Sequence, residues 1–249
     1  MVKKNNILVM IPTYNEIDNV ADITRNLLDL NIPIDILFID DNSPDGTGYK
    51  LENIKGMQGQ SIVHVIHRSS KLGVGGAHML AITYAYAEKY TILITMDCDG
   101  THDPKDIPIM LEYTKGKWGH DVVVGSRHIM GDSLYGWSLW RKIITNVGHI
   151  LTEFLLKMPY DATGAFRLYR IDKIPPHTFY KIKSEDYSFF FESLTILHIN
   201  HINIVEIPIK LAVRSAGHSK LKMFDIIKSL CVMIKLRYKM EFDRWSLIA

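Results

Sequence analysis

Two carboxylates, Asp97 and Asp99, stand where the apolar run Ile92-Leu93-Ile94-Thr95-Met96 ends and the turn-prone Gly100-Thr101-His102-Asp103-Pro104 begins. Such a run reads as a strand buried inside a sheet, and acids at its carboxyl end project from the sheet's rim. On an extended chain residues i and i+2 point the same way, so the spacing predicts both acids on one side and Cys98 on the other. Two carboxylates suffice to seat a divalent cation such as Mg²⁺ or Mn²⁺ and leave positions open for a diphosphate. An Asp-x-Asp also fits a solvated turn. Its neighbours decide between the two.

Three more segments are candidates for the same rim. Ile7 to Ile11 reads as a strand stopped by Pro12 in Pro12-Thr13-Tyr14-Asn15-Glu16. Tyr14 offers a flat ring to a base or sugar, and Asn15 suits a helix N-cap. A second strand, Ile34 to Ile39, leads into Asp40-Asp41-Asn42-Ser43-Pro44-Asp45-Gly46-Thr47. Those acids could accept from ribose hydroxyls or a nucleobase amino edge, or form an Asx turn with Ser43 or Asp45 capping the next helix. A third strand, Ser61 to Ile66, leads to Lys71-Leu72-Gly73-Val74-Gly75-Gly76-Ala77. This is no dinucleotide fingerprint, which follows the first strand with G-x-G-x-x-G spacing. The glycines instead allow a tight turn and close helix packing.

The elements that must hold these loops alternate along the chain. Helices are predicted over Glu16 to Leu30, Gly76 to Lys89 and from Pro104, with a further strand at Val122 to Val124. This rhythm implies an α/β fold, a mostly parallel sheet flanked by helices, with ligands beyond the carboxyl ends of its strands. After Ser126 the pattern loosens. A helix is expected over Trp137 to Leu156, a strand over Phe166 to Tyr169 and an apolar helix over Phe189 to Ile199. A last strand, Val205 to Leu211, is placed at an edge by Pro208. With no repeat or linker, one domain is expected over 1–221, followed by an amphipathic helix over 222–249.

A chain of 249 residues, 47% hydrophobic and 22% charged, has ample material for one core. Its net charge of +2 gives no case for nucleic acid as a partner. The excess lies at the end, where residues 220–249 hold seven basic against three acidic side chains, a net +4. Two cysteines, Cys98 and Cys231, build neither a disulfide framework nor a zinc site, which suggests a reducing compartment. No apolar leader and no uncharged stretch of membrane-spanning length is seen, so a cytoplasmic protein is expected. In the C-terminal segment, positions 221, 224, 227, 231, 234 and 238 share a helical face, with Lys222, Lys228, Lys235 and Lys239 off it. Such a helix suits the interface of an anionic membrane, or packs on the domain or on a small membrane partner.

As a set these motifs resemble glycosyltransferase family two with the GT-A (Rossmann-like) fold, and most closely the dolichyl- and polyprenyl-phosphate mannose synthases. The resemblance rests on Ile11 to Glu16, Asp40 to Thr47, Lys71-Leu72-Gly73, Met96 to Asp99 and Gly125-Ser126-Arg127. It continues through Tyr135-Gly136-Trp137, Arg141-Lys142, Thr163 to Arg170 and Ser219-Lys220-Leu221. It implies a GDP-mannose site using Pro12, Tyr14, Glu16, Ile39, Asp41, Met96, Asp97, Cys98, Asp99 and Arg127. It implies a divalent metal on Asp97 and Asp99, with Thr101 at the third metal-side position. Arg214 and Lys220 would meet the donor diphosphate, while Arg127, Arg141 and Thr145 would hold the acceptor phosphate. Asp99, Arg127, Arg141 and Thr145 are thus the implied catalytic set. The implied place is the cytosolic face of a membrane, endoplasmic reticulum in a eukaryote or plasma membrane in a bacterium. The chain departs from the family pattern at Gly100, His218 and Val213, which bears on the identity of the sugar.

The chemistry implied is inverting transfer of a hexose to a lipid phosphate. Such an acceptor is already anionic near neutral pH and needs little help from a base. Glu192, in Phe189-Phe190-Phe191-Glu192, is the nearest candidate base, or else pairs with a buried cation. Arg141 and Thr145, four apart on the predicted helix, share a face. A same-fold rival would transfer glucose or another sugar, or use a saccharide acceptor. A nucleotidyltransferase is the rival of another class, but would carry a Gly-rich basic signature directly after the first strand.

Overall fold

A computed structural model describes the chain apart from residues 1–4, Trp118, Asp132, Tyr135 and 213–222. Its strands are β1 (Ile7–Thr13), β2 (Ile34–Asp40), β3 (Gly56–Gln58), β4 (Ser61–His67), β5 (Ile92–Thr95), β6 (Val122–Ser126), β7 (Arg167–Arg170) and β8 (Ile204–Pro208). Its helices are α1 (Val20–Leu28), α2 (Thr47–Ile54), α3 (Val74–Ala87), α4 (Ile107–Glu112), α5 (Leu139–Leu156), α6 (Pro176–Phe179), α7 (Ser188–Ile199) and α8 (Met223–Phe242). The apolar runs of β1, β2 and β5 carry no polar face because helices cover both sides of the sheet they build. Along β1, Leu8 and Met10 pack with α3, α7 and α8, while Val9 and Ile11 pack with α1, α2 and α4. Each fully buried side chain of this kind contributes about 1.5–3 kcal/mol.

The eight strands lie in the order β3-β4-β2-β1-β5-β7-β6-β8. Only β3 and β7 run against their neighbours, so β1, β2, β4, β5, β6 and β8 all end at one rim. The mostly parallel sheet is therefore as expected, and Pro208 ends β8 on an outer edge where its missing N–H is harmless. Short β3 lies outside the sequence expectation; a three-residue hairpin partner has too little periodicity to read.

Two local expectations fail. The first helix begins at Val20, not Glu16, and Asn15 is no N-cap: with φ +56° it takes a left-handed turn that swings the chain across the rim. β5 ends at Thr95, and Cys98 to Gly100 form a bend. The alternation argument therefore does not govern Asp97 and Asp99, which are oriented by contacts of their loop. The C-terminal segment is helical and continuous with the domain. α8 packs on α5 and α7, and Met233 and Leu236 are buried in the core those helices share.

Candidate active site

The loop after β1 is knitted to the loop after β2. Asp41 N–H donates to Thr13 O at 3.0 Å, Asn15 N–H to Ser43 Oγ at 3.0 Å and Glu16 N–H to Thr47 Oγ1 at 2.9 Å. Asp45 accepts from Ile17 N–H at 3.1 Å and from the Thr47 hydroxyl at 2.6 Å, so it is the turn-maker that opens α2. Asp41 does different work. Its carboxylate pairs with the guanidinium of Arg68, both nearly buried, and Arg68 also donates to Gly73 O at 2.8 Å. Burial pushes the Asp41 carboxyl above its ordinary range, and the Arg68 guanidinium opposes that rise. Arg68, which no motif had singled out, thus clamps the β2 loop to the glycine turn.

That turn is tight for a specific reason. Gly73 has φ +90°, and a Cβ there would lie 2.3 Å from the carbonyl oxygen of Glu185. At Gly75 a Cβ would lie 2.7 Å from Phe189 Cβ, so α3 approaches α7 without room for a side chain. Close packing, not a dinucleotide, accounts for these glycines. Gly73→Ala is expected to destabilise the fold by about 1–3 kcal/mol, read as a lowered urea midpoint.

Tyr14 is half-buried with the Lys71 ammonium 4.2 Å from its ring centroid, so a cation stands at the aromatic surface expected to meet a base or sugar. Pro12 lies beside Ile39 in the β1–β2 register. Glu16 is buried and accepts from the Asn19 amide at 2.7 Å. Ile39, Met96 and Cys98 are buried in the core, so these three can offer a ligand backbone atoms only.

The acid loop is organised around a buried imidazole. His102 accepts from Asp97 N–H through Nδ1 at 2.9 Å, which places its proton on Nε2, and it stacks on Phe166. Asp99 accepts from both the hydroxyl and the N–H of Thr101, at 2.7 and 3.1 Å. Thr101 therefore holds Asp99 in place. The Asp97 side chain remains 37% exposed, whereas Asp99 is buried. Oxygen donors from two carboxylates fit a hard divalent cation. Among the described residues no three His, Cys, Asp or Glu side chains gather as a metal site.

Across from this loop Arg127 follows β6. Its guanidinium forks onto the fully buried Asp161 at 2.6 and 2.7 Å and reaches Thr163 Oγ1 at 2.5 Å. Nη1 takes no partner among the described residues. Burial holds the His102 imidazole below its ordinary range and Arg127 adds to that, while Asp97, Asp99 and Asp161 oppose it; Asp97 Oδ2 lies 3.9 Å from its Nδ1. Thr145, half-buried on α5, precedes His149 by one turn, and His149 stacks on His128 beside Arg127. Glu192 is no free base. It accepts from the backbone N–H groups of Lys183 and Ser184 at 3.2 and 2.7 Å, and so fixes the loop before α7. Arg214 and Lys220 lie outside the described residues, as does the side chain of Arg141.

Residues 8–177 match the family described as "Glycosyl transferase family 2". The chain belongs to that family. It is a glycosyltransferase with a GT-A fold, which removes the nucleotidyltransferase alternative. Among curated relatives, an undecaprenyl-phosphate mannosyltransferase of Micrococcus luteus is 34% identical over 216 residues, 86% of this chain and 87% of its own length. A polyprenol monophosphomannose synthase of Mycolicibacterium smegmatis is 30% identical over 239 residues, 95% of this chain and 89% of its own. Among solved structures, a mannosyltransferase from Pyrobaculum calidifontis in complex with GDP-Man and Mn²⁺ shares the fold at a TM-score of 0.55. It is 12% identical, and the match covers 87% of this chain and 59% of that one.

Proposed function

We propose that this glycosyltransferase moves mannose from GDP-mannose to a polyprenyl or dolichyl monophosphate, with inversion, at a membrane surface. The observation that supports the reading is that Asp97 and Asp99 are held in one bend beyond β5 by His102 and Thr101, while Arg127 follows β6, whose carboxyl end lies on the same rim of the sheet. It sets an acidic seat for a diphosphate-bound cation beside a cationic cradle for a second phosphate. Tyr14 with Lys71, and Asp41 held by Arg68, receive the nucleoside. Asp97 and Asp99, with Thr101 steadying Asp99, hold Mg²⁺ or Mn²⁺. When bound, that ion supplies charge neutralisation to the departing diphosphate. Arg214 and Lys220 add positive charge there. Arg127, Arg141 and Thr145 orient the acceptor phosphate, whose own oxygen attacks the anomeric carbon. With Glu192 committed to backbone N–H groups, no carboxylate base is needed. The names of the two curated relatives support the lipid phosphate and the mannose, and the Pyrobaculum complex supports the donor and metal class.

Membrane association is supported by two helix faces. On α5, Leu139, Trp140, Ile143, Val147, Ile150 and Phe154 are exposed, and on α8 so are Phe224, Ile227, Ile234, Tyr238 and Phe242. The two helices pack on one another, and the α8 stripe is the one its spacing had indicated. No helix among the described residues is long and apolar enough to cross a membrane; the attachment proposed is at the surface, through these stripes. Phe154→Glu with Phe242→Glu is expected to abolish sedimentation with anionic vesicles and leave the unfolding temperature unchanged. Wild-type protein that ignores vesicles would give the stripes to a small membrane partner instead.

The test of function is direct. Incubation with a panel of nucleotide sugars, a short polyprenyl phosphate and Mg²⁺ or Mn²⁺ should carry labelled mannose into the organic phase from GDP-mannose alone. Transfer from UDP-glucose in preference would overturn the sugar. Silence with every donor would overturn the acceptor.

A further inference from the structure

His128 and His149 form a pair that no motif explains. Their rings stand parallel, with centroids 3.8 Å apart and planes 7° from each other. His128 Nε2 and His149 Nδ1 are buried without a hydrogen-bond partner among the described residues. Leaving two ring nitrogens buried and unsatisfied is unfavourable, and calls for a state in which they are used. Every element around the pair presents charge to it. Arg127 stands at the end of β6 and Asp161 in the loop before β7, with its Oδ2 3.8 Å from His128 Nε2. Glu206 on β8 interacts with His149, and burial pushes its carboxyl above the ordinary range.

The charge balance shows what is missing. Arg127 and Asp161 neutralise one another, and Asp161 occupies Nε and one Nη2 hydrogen of the guanidinium. An incoming phosphate monoester brings a charge of about −1.5 to −2. A proton on His128 Nε2 would have a carboxylate oxygen at 3.8 Å and an aromatic ring stacked at 3.8 Å. Without a ligand, burial holds the His128 imidazole below its usual range, with Arg127 and His149 acting in the same direction and Asp161 opposing.

We propose that His128 and His149 are positioning residues for the acceptor phosphate, taking one proton from solvent onto His128 Nε2 as the phosphate binds. That N–H then closes onto Asp161 Oδ2, loosens Asp161 from Arg127 and lets the guanidinium turn its freed donors to the phosphate. The step moves one proton and exchanges hydrogen-bond partners; no covalent bond among heavy atoms forms or breaks. It rests on the acceptor reading of the preceding section, in which Arg127 holds a lipid phosphate.

The experiment is calorimetric titration of the full chain with a short-chain polyprenyl phosphate, near pH 7.5, in two buffers of different ionisation enthalpy. Wild type should take up about one proton per phosphate bound. His149→Phe and His128→Phe keep an aromatic stack; His128→Phe should lose that uptake and raise the acceptor KM about tenfold with donor KM unchanged, whereas His149→Phe, which lifts an opposing influence from His128, should retain a protonatable His128. The ligand's own ionisation enters wild type and variants alike, so the difference between wild type and His128→Phe isolates His128. Binding by wild type without proton uptake would overturn this inference and spare the acceptor reading, as would uptake that survives in His128→Phe. Wild type that binds no polyprenyl phosphate would overturn both together.

Discussion

Asp97→Asn is expected to lower kcat by about three orders of magnitude with little change in stability. The change removes one negative charge but preserves the shape of a side chain that is 37% exposed. The backbone N–H of Asp97, which fixes His102, is untouched. A loss of this size in kcat together with a raised donor KM would mean that the charge serves both when the donor docks with its ion and as the diphosphate departs. Asp99→Asn should be as damaging to turnover and should also lower stability, because Asp99 is buried and receives both donors of Thr101. An Asp97→Asn enzyme with near wild-type kcat across Mg²⁺ and Mn²⁺ concentrations would remove Asp97 from the metal seat.

The second large effect concerns Asp161. This carboxylate is fully buried, and it accepts the fork of Arg127 as well as Arg127's own N–H at 3.0 Å. Asp161→Asn leaves the guanidinium buried without its counter-charge, which should destabilise the fold by about 3–5 kcal/mol. Burial alone would raise the Asp161 pKa, but the Arg127 guanidinium and its hydrogen bonds reverse that and hold the carboxyl far below its usual range. The sign of the pH dependence follows. The stabilisation is complete above the unfolded carboxylate pKa of about 3.9 and is lost as pH falls through the lower folded value. Urea unfolding at a series of pH values should therefore show wild type and Asp161→Asn separated near neutrality and converging in acid. A separation that persists unchanged to the lowest pH would show that the ion pair is not its source.

The same contrast explains what could be read from the chain. The apolar runs of β1, β2 and β5 announce buried parallel strands, and Pro208 announces an edge, because burial and the missing N–H are local consequences of residue type. Asp97 and Asp99 are legible for the same reason. Their orientation is not, since it depends on His102 and Thr101 closing the bend after the strand has ended. Arg68 is invisible in sequence because its partner, Asp41, lies 27 residues away and no period links them. Asp161 is 34 residues from Arg127. Its one sequence signal is an acid two residues before the matched motif that begins at Thr163. Glu192 shows the opposite error: an acid in an apolar helix looks chemical, yet its Oε2 accepts from two backbone N–H groups of the loop before α7.

The central claim is that Asp97 and Asp99 seat a divalent ion completed by the donor's diphosphate. Paramagnetic resonance of Mn²⁺ titrated into the protein, with and without GDP, addresses it without reference to turnover. The account expects weak binding of Mn²⁺ alone, a marked tightening when GDP is present, and loss of that tightening in Asp97→Asn. Tight binding of Mn²⁺ that ignores both GDP and the substitution would contradict it.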